Sequence, residues 1–258
     1  MKKKNSPIVL CFSGLDPTGG AGIQADIESI GKHGCHVAPI ITANTIQDTH
    51  NVKSFEPVNP ELILKQARTI LKDMPVKAIK IGMIGSGATA EAIYTLIRQH
   101  QDIPVIYDPV LFAGGGSSLA KKNLIDAVNT LIIPNTHILT PNIIEALHLT
   151  SPKLSPENAA QHLNNMGAEY ILITGTHAKI PDVIHKLYHK MKCIKTYKYK
   201  RLNNEYHGSG CTLAASLAAL VAQEIEPINA CQNALDFTFK SLLKAQALGK
   251  GQLIPDRH

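Results

Sequence analysis

From residue 7 to residue 175 the sequence switches repeatedly between two periods. Short runs rich in β-branched residues occupy 7–13 (PIVLCFS), 36–44 (HVAPIITAN), 78–83 (AIKIGM), 104–110 (PVIYDPV), 137–142 (HILTPN) and 169–175 (EYILITG). Between them lie helical patterns at 20–34, 60–72, 88–100, 119–131 and 156–166. A strand that must return parallel to its neighbour needs a crossover helix, so this alternation predicts an α/β fold of three layers, α/β/α, around a mostly parallel sheet. Residues 182–206 read as extended and antiparallel, and two helices, 210–223 and 227–247, follow. In such folds ligands bind beyond the carboxyl ends of the strands. GLDPTGGAG, TIQDTHN, KIGMIGSG, DPVLFAGGG, TPNIIE and TGTH all follow predicted strands and can therefore face one crevice.

The 258 residues show no internal repeat or linker, and one domain spanning 1–258, with a flexible basic tail at 1–6, is expected. With 44% apolar and 18% charged residues the balance is that of a globular protein. The net charge of +6 is modest, and the basic stretches do not interleave with aromatic residues as nucleic-acid surfaces do, so no nucleic-acid partner is expected; a phosphate-bearing substrate suits the charge. The five cysteines (11, 35, 193, 211, 231) have neither metal-site nor disulfide spacing, which points to a reducing compartment. No apolar run reaches membrane-spanning length and none has the form of a secretion signal, so a cytoplasmic protein without a membrane partner is expected.

Four motifs carry chemistry. In HGSGCTLAAS (207–216), two glycines flank a serine, and Cys211 falls on the first turn of a helix. Helix N-termini attract anions and lower thiol pKa values, so the start of this helix is a natural anion site and Cys211 a reactive thiol, unless Cys211 is one more small buried residue. GLDPTGGAGIQAD formally matches a dinucleotide fingerprint at Gly20, Gly22 and Ala25, but its turn is long and the acidic residue expected about twenty positions later is ambiguous. The alternative is a glycine loop admitting a small ligand, with Asp26 reaching it. Asp108, ending a strand before Pro109, suits water-mediated Mg²⁺ or a turn; Asn142 and Glu145, three apart, suit hydrated Mg²⁺ or a helix cap. His185 and His189 have a four-residue spacing, but lysines surround them, and a solvated face is expected rather than a metal site.

Taken together and in order, SGLDPTGGAGIQAD, KIGMIGS, YDPV, LTPNIIEA and HGSGCTLAASLAAL resemble the hydroxymethylpyrimidine/phosphomethylpyrimidine kinases of thiamine biosynthesis, in the ribokinase-like superfamily. The resemblance runs from about residue 8 to about residue 245. It implies an ATP- and Mg²⁺-dependent kinase that phosphorylates the pyrimidine alcohol and then its monophosphate, in a family that often forms dimers. It also implies that Cys211 stands where most of the superfamily has an aspartate base, with Gly208, Ser209 and Gly210 as the anion hole. The pyrimidine pocket implied is Gly14, Ala21, Asp26, Gln47, Met83 and Val110, and an amide at Gln47 can both donate to and accept from an aminopyrimidine edge. Asp108 and Glu145 are implied to organise Mg²⁺, and Asn142, Thr174, Gly175 and His177 the nucleotide.

The sequence departs from the family at two places. Thr174-Gly175-Thr176-His177 stands where many members have Lys-Gly-Gly-His, and FAGGGSS replaces a lysine-bearing loop; either slower turnover or compensation by Lys121 or Lys122 is expected. The competing readings are a vitamin B6 (pyridoxal or pyridoxine) kinase, or one enzyme acting on both rings, and a degenerate kinase acting as a ligand sensor.

Overall fold

The computed structural model describes residues 6–112, 119, 122–175 and 181–258. Its strands are β1 (Ile8–Leu15), β2 (His36–Gln47), β3 (Val52–Pro57), β4 (Val76–Ile81), β5 (Val105–Tyr107), β6 (Ile138–Leu139), β7 (Tyr170–Ile173), β8 (Asp182–His189) and β9 (Lys192–Lys200). The helices are α1 (Gly22–Lys32), α2 (Pro60–Asp73), α3 (Gly87–Gln99), α4 (Lys122–Ala127), α5 (Ile143–Leu149), α6 (Pro156–Asn165), α7 (Ser209–Ala222) and α8 (Pro227–Leu243). All nine strands form one sheet in the order β3-β2-β1-β4-β5-β6-β7-β8-β9. Strands β2, β1, β4, β5, β6 and β7 run parallel to one another, while β3, β8 and β9 pair antiparallel. The chain winds outward first through β2 and then back through β4, so the switch point lies between the carboxyl ends of β1 and β4.

The two faces of the sheet follow from period-2 alternation. On β1, Leu10 and Phe12 pack with residues of α2, α3 and α6, whereas Val9 and Cys11 pack under α1, α7 and α8. Each face buries a continuous apolar layer, which is the main driving force for this architecture. Helix α7 is buried over its whole length from Thr212 to Ala222. Its alanine-rich sequence is apolar all round, and such a helix is stable only when covered on every side, here by the sheet, α1 and α8.

Most predicted elements are present with shifted ends. The helix expected at 119–131 is a six-residue α4 continued by a π-helical turn (Val128–Ile132) and a 3₁₀ turn (Ile133–Asn135). The antiparallel edge strand β3 and the short α5 had no distinct periodic signal; β3 is largely exposed, so it lacks a clean apolar alternation. The helix expected to reach residue 247 stops at Leu243, after which the chain returns to pair Gln246 with Ile254 and Tyr206 with Leu253.

Candidate active site

The alternation that builds the core also builds a polar row. Cys11, Ala78, Ile106 and Ile138 lie in the layer beneath α7. Two residues further on, at the carboxyl ends of four adjacent strands, stand Ser13, Lys80, Asp108 and Thr140, and all four line one cavity of about 810 Å³. Same-face spacing thus carries the row from apolar core into ligand space at the point where the strands end. The amino end of α7 closes this cavity with Gly208, Ser209, Gly210 and Cys211.

Lys80 is fully buried, whereas the other lysine of its strand, Lys77, faces solvent. Its Nζ pairs with both carboxylate oxygens of Asp26, at 2.9 and 3.0 Å, and donates to Ser13 Oγ at 3.0 Å. Burial works to discharge the amine, but Asp26, then Cys211 and Asp108, hold its pKa above the ordinary value. Asp26 is therefore placed differently from the pyrimidine-contacting role implied for it. It is wholly buried, does not line the cavity, and serves the site through Lys80. The signal in the sequence is that Lys77 and Lys80, three apart in VKAIKI, fall on opposite faces of a strand, so one of the two turns inward and needs a partner.

Cys211 is partly exposed on the cavity wall. Its thiol is not acidified overall. Burial pushes it up to about 11, Lys80 pulls against that, Asp108 and Asp26 push further, and the Gly22 N–H pulls down. The pulls that lower it come from Lys80 and the Gly22 N–H, and the cost of desolvation outweighs them.

Two glycines hold the loops of this end in contact. Gly208, with φ of 76°, caps α7 so close to the acceptor-side loop that a Cβ there would lie 2.0 Å from Gly20 O. Gly22, with φ of 58°, would place a Cβ 2.2 Å from Gly14 O. Both positions need left-handed backbone and no side chain. Asp16 accepts from Thr18 N–H and Ala21 N–H at 2.8 Å each and is hydrogen-bonded to His207 Nε2 at 2.7 Å. Burial opposes its ionisation, but the bonds from His207 and Thr18 hold the Asp16 carboxyl below its ordinary value.

Gly14, Ala21, Gln47, Met83 and Val110 line the same cavity, as the resemblance implied. The Gln47 amide donates to Thr45 Oγ1 at 2.6 Å. Asn142 and Thr174 also line it. Gly175 does not, and packs where a Cβ would lie 2.0 Å from Ile184 O; His177 falls outside the described residues. Asn142 and Glu145 form a reciprocal capping box on α5, with Glu145 Oε2 accepting from Asn142 N–H and Asn142 Oδ1 accepting from Glu145 N–H, each at 2.9 Å. The capping reading is thus observed, at residues that also line the cavity.

Asp108 and Glu145 are both buried. Burial raises Asp108 to about 6, with Lys80 opposing and Asp26 adding; burial and then Asp108 raise Glu145 to about 8. Asp108 Oδ2 has no hydrogen-bond partner. A buried, unpartnered carboxylate oxygen beside a second carboxylate fits a hydrated cation. Among the described residues no three metal-binding side chains come together.

At the opposite end Val183, His185, Tyr199, Leu235, Phe239 and Leu242 form an apolar slot. His185 corrects the expectation of a solvated face. It lies on a strand, so it alternates inward, is 7% exposed, stands edge-on to Tyr199 at 5.8 Å, and burial lowers its pKa to about 4. His189, on the outer part of the same strand, stacks on Tyr170 at 4.2 Å. Lys122 is exposed on α4 and does not line the cavity, and Lys121 lies outside the described residues; Lys200 and Arg201 line it from the end of β9.

This topology, with a glycine-capped helix aimed at a carboxylate pair beside a ring-sized pocket, defines a phosphotransferase of the ribokinase-like class. The profile of the phosphomethylpyrimidine kinase family matches residues 16–256, and the chain belongs to that family. It is 32% identical over 247 residues to the thiamine biosynthesis bifunctional protein ThiED of Geobacter sulfurreducens, covering 94% of this chain and spanning half (50%) of that longer protein. It is 29% identical over 251 residues to the hydroxymethylpyrimidine/phosphomethylpyrimidine kinase of Staphylococcus aureus, covering 95% of this chain and 91% of that one. The structure also superimposes on an ADP complex of Bacillus subtilis pyridoxal kinase with a TM-score of 0.89 and 25% identity, covering 98% of each chain.

Proposed function

We propose that the chain uses ATP to phosphorylate 4-amino-5-hydroxymethyl-2-methylpyrimidine and then its monophosphate, in the cytoplasm and as a single kinase domain. One observation carries this reading: Cys211, on the first turn of α7, and Gln47 line one and the same cavity. A hydroxymethyl group beside Cys211 leaves the amino-pyrimidine edge toward Gln47, where donor and acceptor are both matched.

Phosphoryl transfer is mainly positioning and charge stabilisation. Free N–H groups at the start of α7 point at the transferring group, and donors of this kind contribute about 3 kcal/mol each in other enzymes. Lys80 fixes a positive charge beneath the same point, and Lys200 and Arg201 supply charge on the nucleotide side, where the lysine common in the family is replaced by Thr174. With its pKa raised, the Cys211 thiol orients the hydroxyl, and its small thiolate fraction accepts the proton. Mg²⁺, when bound, neutralises the donor phosphates; Asp108, Glu145 and Asn142 would hold its waters. The apolar slot between β8, β9 and α8 takes the nucleobase, since it lies beyond the phosphate site as seen from Cys211.

The likeness to a pyridoxal kinase supports a second reading, a ring of similar size bearing the same hydroxymethyl group. Incubation with ATP, Mg²⁺ and an equimolar mixture of the pyrimidine and pyridoxal, followed by mass spectrometry, separates the two. Pyrimidine mono- and diphosphate are expected; pyridoxal phosphate alone overturns the proposal, and no phosphorylated ring would favour the ligand-sensor reading.

A further inference from the structure

Arg257 is buried to 1% of its surface and lies one residue beyond the stretch matched by the family profile. It reaches the interior because residues 244–258 fold back along the segment preceding α7. Leu253 N–H donates to Glu205 O and His207 N–H donates to Leu253 O, both at 2.9 Å, and Asp256 N–H donates to Ser241 O at 3.1 Å. The guanidinium then makes three contacts. Nη1 meets Glu28 Oε2 on α1 at 2.9 Å, Nε donates to Thr212 Oγ1 at 2.9 Å, and Nη2 donates to Gly20 O.

The last two contacts act on the site. Thr212 follows Cys211, and its hydroxyl, while accepting from Arg257, donates to Gly208 O at 2.8 Å. The carbonyl that opens α7 is thus held by a chain of polarised bonds ending in a buried cation. Gly20 O belongs to the same peptide as Ala21 N–H, and that N–H is taken by Asp16 Oδ2 at 2.8 Å. One peptide unit is therefore gripped at both ends, by a cation on its oxygen and a carboxylate on its N–H. Asp16 is in turn bonded to His207, the residue before Gly208, which closes a ring of buried polar contacts around the two glycine loops. Space is tight there, since a Cβ on Gly20 would lie 2.3 Å from the His207 ring.

We propose that Arg257 is a positioning residue, which sets the acceptor loop (Asp16–Ala21) against the first turn of α7 so that hydroxyl, phosphoryl group and backbone donors stay in line. A buried guanidinium is costly unless fully paired, and it is irreplaceable by lysine where three acceptors lie in different directions. The inference rests on the kinase reading above only for the step it serves. Its geometry concerns the loops themselves.

The test compares wild type with Arg257→Ala, Arg257→Lys and Thr212→Val in the full chain. Loss of about a tenth of an ångström to an ångström of alignment is read mainly in turnover, so kcat is expected to fall about tenfold to hundredfold in Arg257→Ala, with the KM of the pyrimidine alcohol within about threefold. Methylguanidinium at concentrations that leave melting unchanged is expected to restore part of that kcat in Arg257→Ala and none in Cys211→Ala. Thr212→Val keeps the guanidinium and its other partners, so it tests the relay to Gly208 in a folded protein, and a smaller fall in kcat is expected there. A readout without turnover accompanies these: alkylation of Cys211 by iodoacetamide, mapped by mass spectrometry, is expected to quicken in Arg257→Ala and Thr212→Val. Lower melting temperatures with unchanged kcat and unchanged alkylation would reduce Arg257 to a structural tie and overturn the proposal. If wild type phosphorylates neither ring but alkylation still responds, the substrate reading fails and the positioning role stands.

Discussion

The two ends of the cavity are built by different means. At the acceptor end, the working groups are backbone and short-range: glycine turns at 14–22 and 208–210, and a cysteine on the first turn of a helix. At the donor end they are side chains gathered from far apart in the chain, with Val183 and His185 from β8, Tyr199 from β9, and Leu235, Phe239 and Leu242 from α8. A backbone site tolerates almost no substitution, since a single Cβ at Gly208 or Gly22 would collide with a carbonyl. A side-chain slot can be relined residue by residue while its shape persists. Specific chemistry is thus concentrated at one end and adaptable affinity at the other.

The sharpest way to break that contrast is Cys211→Ala. If the acceptor end carries the chemistry, kcat is expected to fall by at least about a hundredfold, the scale of a positioned proton acceptor, with little change in the KM of either substrate. Because the thiol titrates near 11, its thiolate fraction grows as pH rises, so wild-type kcat is expected to climb between pH 7 and 9 and the variant to lose that slope. Near-wild-type turnover in the variant, or an unchanged slope, would remove Cys211 from the reaction.

His185→Leu sharpens the comparison from the other side. The ring lines the slot, its Nδ1 has no partner among the described residues, and burial keeps it neutral at physiological pH. Loss of one neutral hydrogen bond of about 1 kcal/mol to a nucleobase is expected to raise the KM for ATP about fivefold. The KM for the pyrimidine and kcat at saturating ATP should stay within about twofold on the same reasoning that distant sites act independently. An equal loss at both substrates would show that the two ends are not separable.

The same division explains what could be read from the sequence. The parallel core, the glycine loops and Cys211 were legible because each is written in contiguous residues whose spacing has one cheap fold. Lys80, Asp16, His207 and Arg257 were not singled out, since their meaning lies in contacts with residues as distant in sequence as Gly20 and Thr212. Asp26, in the first turns of α1, is implied to reach the ligand, but its position in sequence does not show which neighbour claims its carboxylate, and that neighbour is Lys80. The lysines near His185 suggest a solvated face, but on a strand alternation turns Lys186 outward and His185 inward. Pairings across a sheet are set by topology, and a local pattern does not contain them.

Between the two ends lies the carboxylate pair, and it gives the smallest and most diagnostic effect. Glu145 is raised from 4.5 to about 8. A carboxyl whose folded pKa is raised holds its proton where the unfolded chain has released it, so its contribution to stability is full below the unfolded value and lost as pH rises through the folded one. Asp108, raised from 3.8 to about 6, completes its change lower in pH. His185 is lowered from 6.5 to about 4, so it weakens the fold only as pH falls below 6.5. In the window from pH 6.5 to 8, among these three groups, the titration of Glu145 dominates. The melting temperature of the ligand-free protein is therefore expected to decline by a few degrees across that window, and Glu145→Gln, which keeps a carbonyl acceptor for Asn142 N–H, is expected to flatten the decline. Equal slopes in the two proteins would mean that the pair is not strained by burial, and the unpartnered oxygen of Asp108 would then lose its force as an argument for a cation between acceptor and donor.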